Sequence, residues 1–88
     1  MKILIVEDEK NLADALAKGL SLKGYSVDTI GDGKKALTRM SLHRSDYDLI
    51  ILDLMLPSMD GHEICKQARS IGVTTPIAGA PFSQTNTN

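Results

Sequence analysis

Aromatic side chains are almost missing from this 88-residue chain: Tyr25, Tyr47 and Phe82 are all it has, with no tryptophan. Such a set offers no stacking platform for nucleic-acid bases. Charge of one sign is missing too, since 10 Lys and Arg stand against 11 Asp and Glu for a net charge of -1. That balance gives no basic face for nucleic acid or anionic lipid, so direct nucleic-acid binding is not expected. Cys65 is the only cysteine, which excludes an internal disulfide and fits a reducing compartment. The apolar run after Met1-Lys2 covers only Ile3 to Val6, too short for a signal peptide, and no run approaches the roughly 20 residues that cross a bilayer. The chain reads as soluble and cytoplasmic, with no membrane partner.

The residues that are present alternate between two periods. Ile3 to Val6 is a continuous apolar run that suits a strand covered on both faces of a parallel sheet. From Asn11 to Lys23, Leu12, Leu16 and Leu20 recur at helical spacing, and Gly24 stands where a helix ends. Tyr25 to Ile30 reads as a partly polar strand. Asp32 is placed to cap a second helix bearing Ala36, Leu37 and Met40. Leu49 to Leu52 is another buried strand, and Leu56-Pro57 opens a loop. Asp60 and Glu63 resemble a capping box for a third helix with the stripe Ile64, Ala68 and Ile71, which Gly72 ends. Three strand-helix alternations predict a right-handed, parallel α/β sheet. After Gly72 the pattern weakens: Pro76, Ile77 and Ala78 begin a fourth strand that Gly79, Pro81 and the polar run Ser83 to Asn88 do not sustain. The expected division is therefore residues 1–78 as a partial α/β domain and 79–88 as an atypical tail.

Ligands of an open parallel sheet bind beyond the carboxyl ends of its strands, where Glu7, Asp8 and Asp53 all fall. An ionised carboxylate is costly in apolar surroundings, yet Asp53 interrupts Leu49 to Leu56. Singly, Glu7 and Asp8 favour the positive end of the first helix and Asp53 caps a turn. Jointly, three acids at two strand ends repel unless a cation joins them, and an all-oxygen donor set suits Mg²⁺ better than Zn²⁺. His43 and His62 have no partners at metal-ligand spacing, and Cys65 reads as a small residue near the third helix's buried side. Gly31-Asp32-Gly33 gives a lone G-x-G without the third glycine of a dinucleotide site, so a flavin or nucleotide binder is a weak rival.

The segments Lys2-Ile-Leu-Ile-Val-Glu-Asp-Glu, Gly24-Tyr25, Asp32-Gly33 and Tyr47-Asp-Leu-Ile-Ile-Leu-Asp-Leu-Met-Leu-Pro-Ser-Met-Asp-Gly61 together resemble the receiver domains of bacterial two-component response regulators. Within that family the likeness is to the subfamily whose receivers precede a winged-helix DNA-binding domain. It implies a flavodoxin-like, doubly wound parallel sheet, truncated here to strand order 2-1-3 with at most a stub of strand 4. It further implies that Asp53 is the phosphoacceptor in a phosphorelay and that Glu7, Asp8, Asp53 and the backbone carbonyl of Met55 hold Mg²⁺. Pro57 and Gly61 then shape the adjoining loop, and a sensor histidine kinase donates the phosphoryl group. Such a domain assists its own phosphorylation and is not a turnover enzyme. Family receivers add a Ser or Thr after the fourth strand and a Lys after the fifth. Aligned on Thr75-Pro76-Ile77, Pro81 takes the hydroxyl position and Ser83 comes two places late. Lys23, Lys34, Lys35 and Lys66 sit in earlier segments, so neither role is assigned. Impaired switching is the expectation. The alternative is a non-signalling fragment of a receiver that self-associates as a homo-oligomer, through domain swapping or an exposed apolar sheet edge.

Overall fold

The protein is described by a computed structural model covering residues 1–57 and 59–80. Strands and helices alternate as β1 (Lys2–Val6), α1 (Lys10–Leu22), β2 (Ser26–Ile30), α2 (Gly33–Leu42), β3 (Leu49–Asp53), α3 (Gly61–Ser70) and β4 (Ile77–Ala80). One parallel sheet has the order β2-β1-β3-β4. The order 2-1-3 expected from the sequence is there, and β4 pairs with β3 along its whole length, from Ile50↔Ile77 to Asp53↔Ala80.

β4 continues through Gly79 and Ala80, beyond Ala78 where the apolar pattern fades. Gly79 acts there as a fitted residue: a Cβ at this position would lie 2.9 Å from Leu54 Cδ2. A glycine that reads as a strand breaker is one that makes room for a neighbouring leucine.

The two faces of the sheet are packed unequally. Leu4, Val6, Ile50 and Leu52 join Ala36 and Met40 of α2 and Ile64 and Ala68 of α3 in the main core, with Cys65 against its margin. Alternation along the strands sends Ile3 and Ile5, also buried, to the opposite face, where α1 packs with Ala13 innermost. The fully buried residues β1 and β3 contribute explain why both read as unbroken apolar runs.

Short-range chemistry sets the helix ends. Asp32 Oδ2 accepts from Lys35 N at 2.9 Å and Asp60 Oδ1 from His62 N at 2.9 Å, both as N-caps. Asp60 caps α3 through His62 and not through Glu63 as in the expected capping box, and the Glu63 side chain turns along the helix to accept from Gln67 Nε2 at 3.1 Å. α1 starts at Lys10, one residue before the expected Asn11, because Glu9 caps it by accepting from Asn11 N. Gly24 (φ 94°) and Gly72 (φ 91°) end α1 and α3 in the left-handed region. At each end the two residues after the cap bond back to the last turn: Gly24 N to Ser21 O and Tyr25 N to Leu20 O, then Gly72 N to Arg69 O and Val73 N to Ala68 O.

Candidate metal and phosphoacceptor site

The register of the sheet builds this site. β1 and β3 pair with Val6 beside Leu52, so one further residue along each strand sets Glu7 beside Asp53. Glu7 still belongs to the sheet, its N–H donating to Ile30 O at 3.0 Å. Glu7 and Asp53 are buried, at 2% and 0% exposure, while Asp8 is exposed. One carboxylate oxygen from each of the three lies within 4.8 Å of the others. Among the described residues this is the group of Asp, Glu, His and Cys side chains placed to share a metal ion. His43 pairs instead with Asp46, Nδ1 to Oδ2 at 2.8 Å.

Local hydrogen bonds aim the two buried carboxylates. Asp53 Oδ1 accepts from Met55 N at 2.9 Å, a turn that folds the chain back on its own side chain as β3 ends. Glu7 Oε2 accepts from Glu9 N at 2.8 Å, while Glu7 Oε1 is buried with no hydrogen-bond partner among the described residues. Burial pushes the Glu7 carboxyl up to about 7; the Glu9 N–H opposes this, and the charge of Asp53 adds to it. An orphaned, buried carboxylate oxygen beside two other acids is a position that a hard cation satisfies, and the all-oxygen set fits Mg²⁺.

The loop after β3 is held by the buried Leu56 and by the start of α3 at Gly61. Leu56 is buried in the main core, while Met55 and Pro57 are exposed. Gly61 opens α3 hard against the end of the strand: a Cβ there would stand 2.6 Å from Leu54 Cα and 3.2 Å from Asp53 O. Only a residue without a side chain lets α3 begin so close to Asp53. Pro81 and Ser83, where the sequence places the hydroxyl position, lie outside the described residues.

One polar network escaped the sequence reading. The Tyr47 hydroxyl donates to Asp28 Oδ2 at 2.6 Å, and Arg39 Nη1 donates to the same hydroxyl at 3.4 Å. Lys2 and Arg39 each approach Asp28 Oδ2 at 3.8 Å. Burial, then the Asp28 bond, raises the Tyr47 phenol above its ordinary pKa. The available signal was an acid at the centre of β2, beside Leu4 of the core strand.

Comparison with known proteins settles the family. The family model described as the response regulator receiver domain matches residues 3–84. The chain belongs to that family. Receivers are signalling domains of two-component systems, and this one is similar to the transcriptional regulatory protein TcrA of Mycobacterium tuberculosis, 42% identical over 77 residues. That match covers 88% of this chain and 30% of TcrA, so the receiver spans about a third of the length of such relatives. Among solved structures, the response regulator TrrA of Thermotoga maritima in complex with Mg²⁺ and BeF is 34% identical with a TM-score of 0.76, covering 86% of this chain and 64% of that one. The complex of histidine kinase ThkA with TrrA contains a chain 31% identical with a TM-score of 0.79, covering 99% of this chain and 74% of its match. No helix among the described residues is long and apolar enough to cross a membrane.

Proposed function

We propose that Asp53 accepts a phosphoryl group from a phosphohistidine of a sensor histidine kinase, with Mg²⁺ held by Glu7, Asp8, Asp53 and the backbone carbonyl of Met55. The observation that carries this is the meeting of three carboxylates within 4.8 Å, one of them with a buried oxygen that has no hydrogen-bond partner among the described residues. The known structures of TrrA, one with Mg²⁺ and BeF and one with a histidine kinase, support the same assignment by likeness. When bound, Mg²⁺ would offset negative charge on the phosphoryl oxygens. The residues themselves position the reaction. The Met55 N–H fixes the Asp53 carboxylate, whose oxygen forms a bond to phosphorus as the P–N bond to the donor imidazole breaks. Pro57 and Gly61 shape the wall beside that carboxylate.

Neither a hydroxyl nor a lysine is assigned to the phosphoryl oxygens. Loss of one preorganised donor lowers a rate by about 10² to 10³. The β4 edge of the described sheet is proposed to pair with a second copy, with size-exclusion light scattering as the check. Intact-mass measurement after incubation with Mg²⁺ and acetyl phosphate tests the central assignment. A phosphoryl adduct is expected, lost in Asp53→Asn and without Mg²⁺; an adduct that persists in Asp53→Asn overturns it.

A further inference from the structure

Two hollows flank the exposed side of α2. The first, about 280 Å³, lies between Ile30 of β2 and the residues Lys35, Arg39 and His43; the second, about 290 Å³, lies between α2 and α3 and reaches Gln67 and Ile71. Thr38 and Leu42, one helical turn apart, line both, so the hollows form one surface with a shared ridge. Leu42 is 74% exposed and Ile71 39%.

The charged side chains that line the hollows are basic. Neither hollow is lined by an acid, and α2 carries Lys34, Lys35 and Arg39 without a single Asp or Glu, in a chain whose net charge is -1. Three acids bond to residues lining the first hollow or to their neighbours: Asp28 engages Arg39 and Tyr47, Asp46 engages His43, and Asp32 accepts from the backbone N–H of Lys35. These bonds hold Arg39 and His43 in place, and Lys35 has no ion pair among the described residues.

We propose that this face of α2 docks an amphipathic, acidic helix of a partner protein, with two apolar side chains one turn apart entering the hollows and carboxylates meeting Lys35 and Arg39. Charge complementarity selects the occupant. The described helices of a second copy do not qualify, since α1 carries Lys10 and Lys18 against Asp14, α2 is basic, and α3 sets Lys66 and Arg69 against Glu63. Concave pockets on both sides of a ridge also suit inserted side chains better than a flat lipid surface.

The probe is a synthetic helical peptide with leucines at i and i+4 flanked by glutamates, titrated into the isotope-labelled 88-residue chain and followed by NMR. Saturable shifts are expected at Thr38, Leu42, Gln67 and Ile71. Leu42→Ser should weaken binding by about tenfold or more, and Lys35→Glu by about threefold. The same peptide with lysines for glutamates should not bind. Should Leu42→Ser fail to fold, the pair of peptides on the unaltered chain still decides the matter. Several results overturn the proposal: shifts that map elsewhere, no saturation, or equal affinity for the lysine peptide. Leu42-dependent self-association without peptide, or preferential binding to vesicles of anionic phospholipid, does so equally.

Discussion

The buried Glu7 reverses the usual pH dependence of a carboxylate. Its carboxyl stands at about 7 in the folded chain against 4.5 as an ordinary side chain, so between those values the folded state holds a proton that the unfolded state releases. Stability from this group is therefore full below pH 4.5 and lost as pH rises through about 7, the opposite of a salt-bridged acid. At about 1.4 kcal/mol per unit, the shift sets an upper bound of about 3 kcal/mol, which relaxation among the three carboxylates reduces. A loss of about 1 kcal/mol would move the melting temperature of so small a domain by about 4–8 °C. Thermal melts at about pH 5 and about pH 8, for the wild type and Glu7→Gln without divalent cation, separate the effect from titrating groups outside the acidic cluster. The wild type should lose stability relative to Glu7→Gln as pH rises. Mg²⁺ should restore it, by roughly 1.4 kcal/mol at a concentration ten times the dissociation constant, and more at the higher pH. Parallel pH curves for the two proteins, or a wild type that gains on the variant at high pH, would refute the reasoning.

Other perturbations have equally direct readouts. Gly61→Ala drives a methyl group into the backbone of Leu54 and should destabilise the fold by about 1–3 kcal/mol in urea melts, with weakened Mg²⁺ binding because Asp53 O lies beside the same point. Tyr47→Phe removes the donor to a partly exposed Asp28 carboxylate and should cost about 1 kcal/mol while leaving phosphoryl acceptance by Asp53 unchanged.

What the sequence displayed and what it hid divide along physical lines. β1 and β3 were legible because strands covered on both faces must be apolar throughout, and Asp32, Asp60, Gly24 and Gly72 were legible because caps and left-handed turns admit few residue types. The meeting of Glu7, Asp8 and Asp53 followed from parallel topology alone. Less was visible where a role depends on a distant contact. Gly79 looked like a breaker because Leu54, which fills its missing side chain's space, is far away in sequence. Asp28 and Tyr47 are 19 residues apart and neither belongs to a motif, so their bond had no local signature. Glu9 went unnoticed as a cap because glutamate is a less usual choice than Asp or Ser for that task.

The pairing of Val6 with Leu52 has a further implication for how this site can change over time. Side chains along a strand alternate between faces, so inserting or deleting one residue within β1 or β3 would turn Glu7 and Asp53 to opposite sides of the sheet while leaving the backbone ladder able to form. Point substitutions can erode the acidic cluster by degrees, but a single-codon insertion in either central strand abolishes it at once. Length variation in descendants of this chain should therefore collect in the connections between strands and helices, and be absent from Ile3–Val6 and Leu49–Asp53 wherever the cluster is retained.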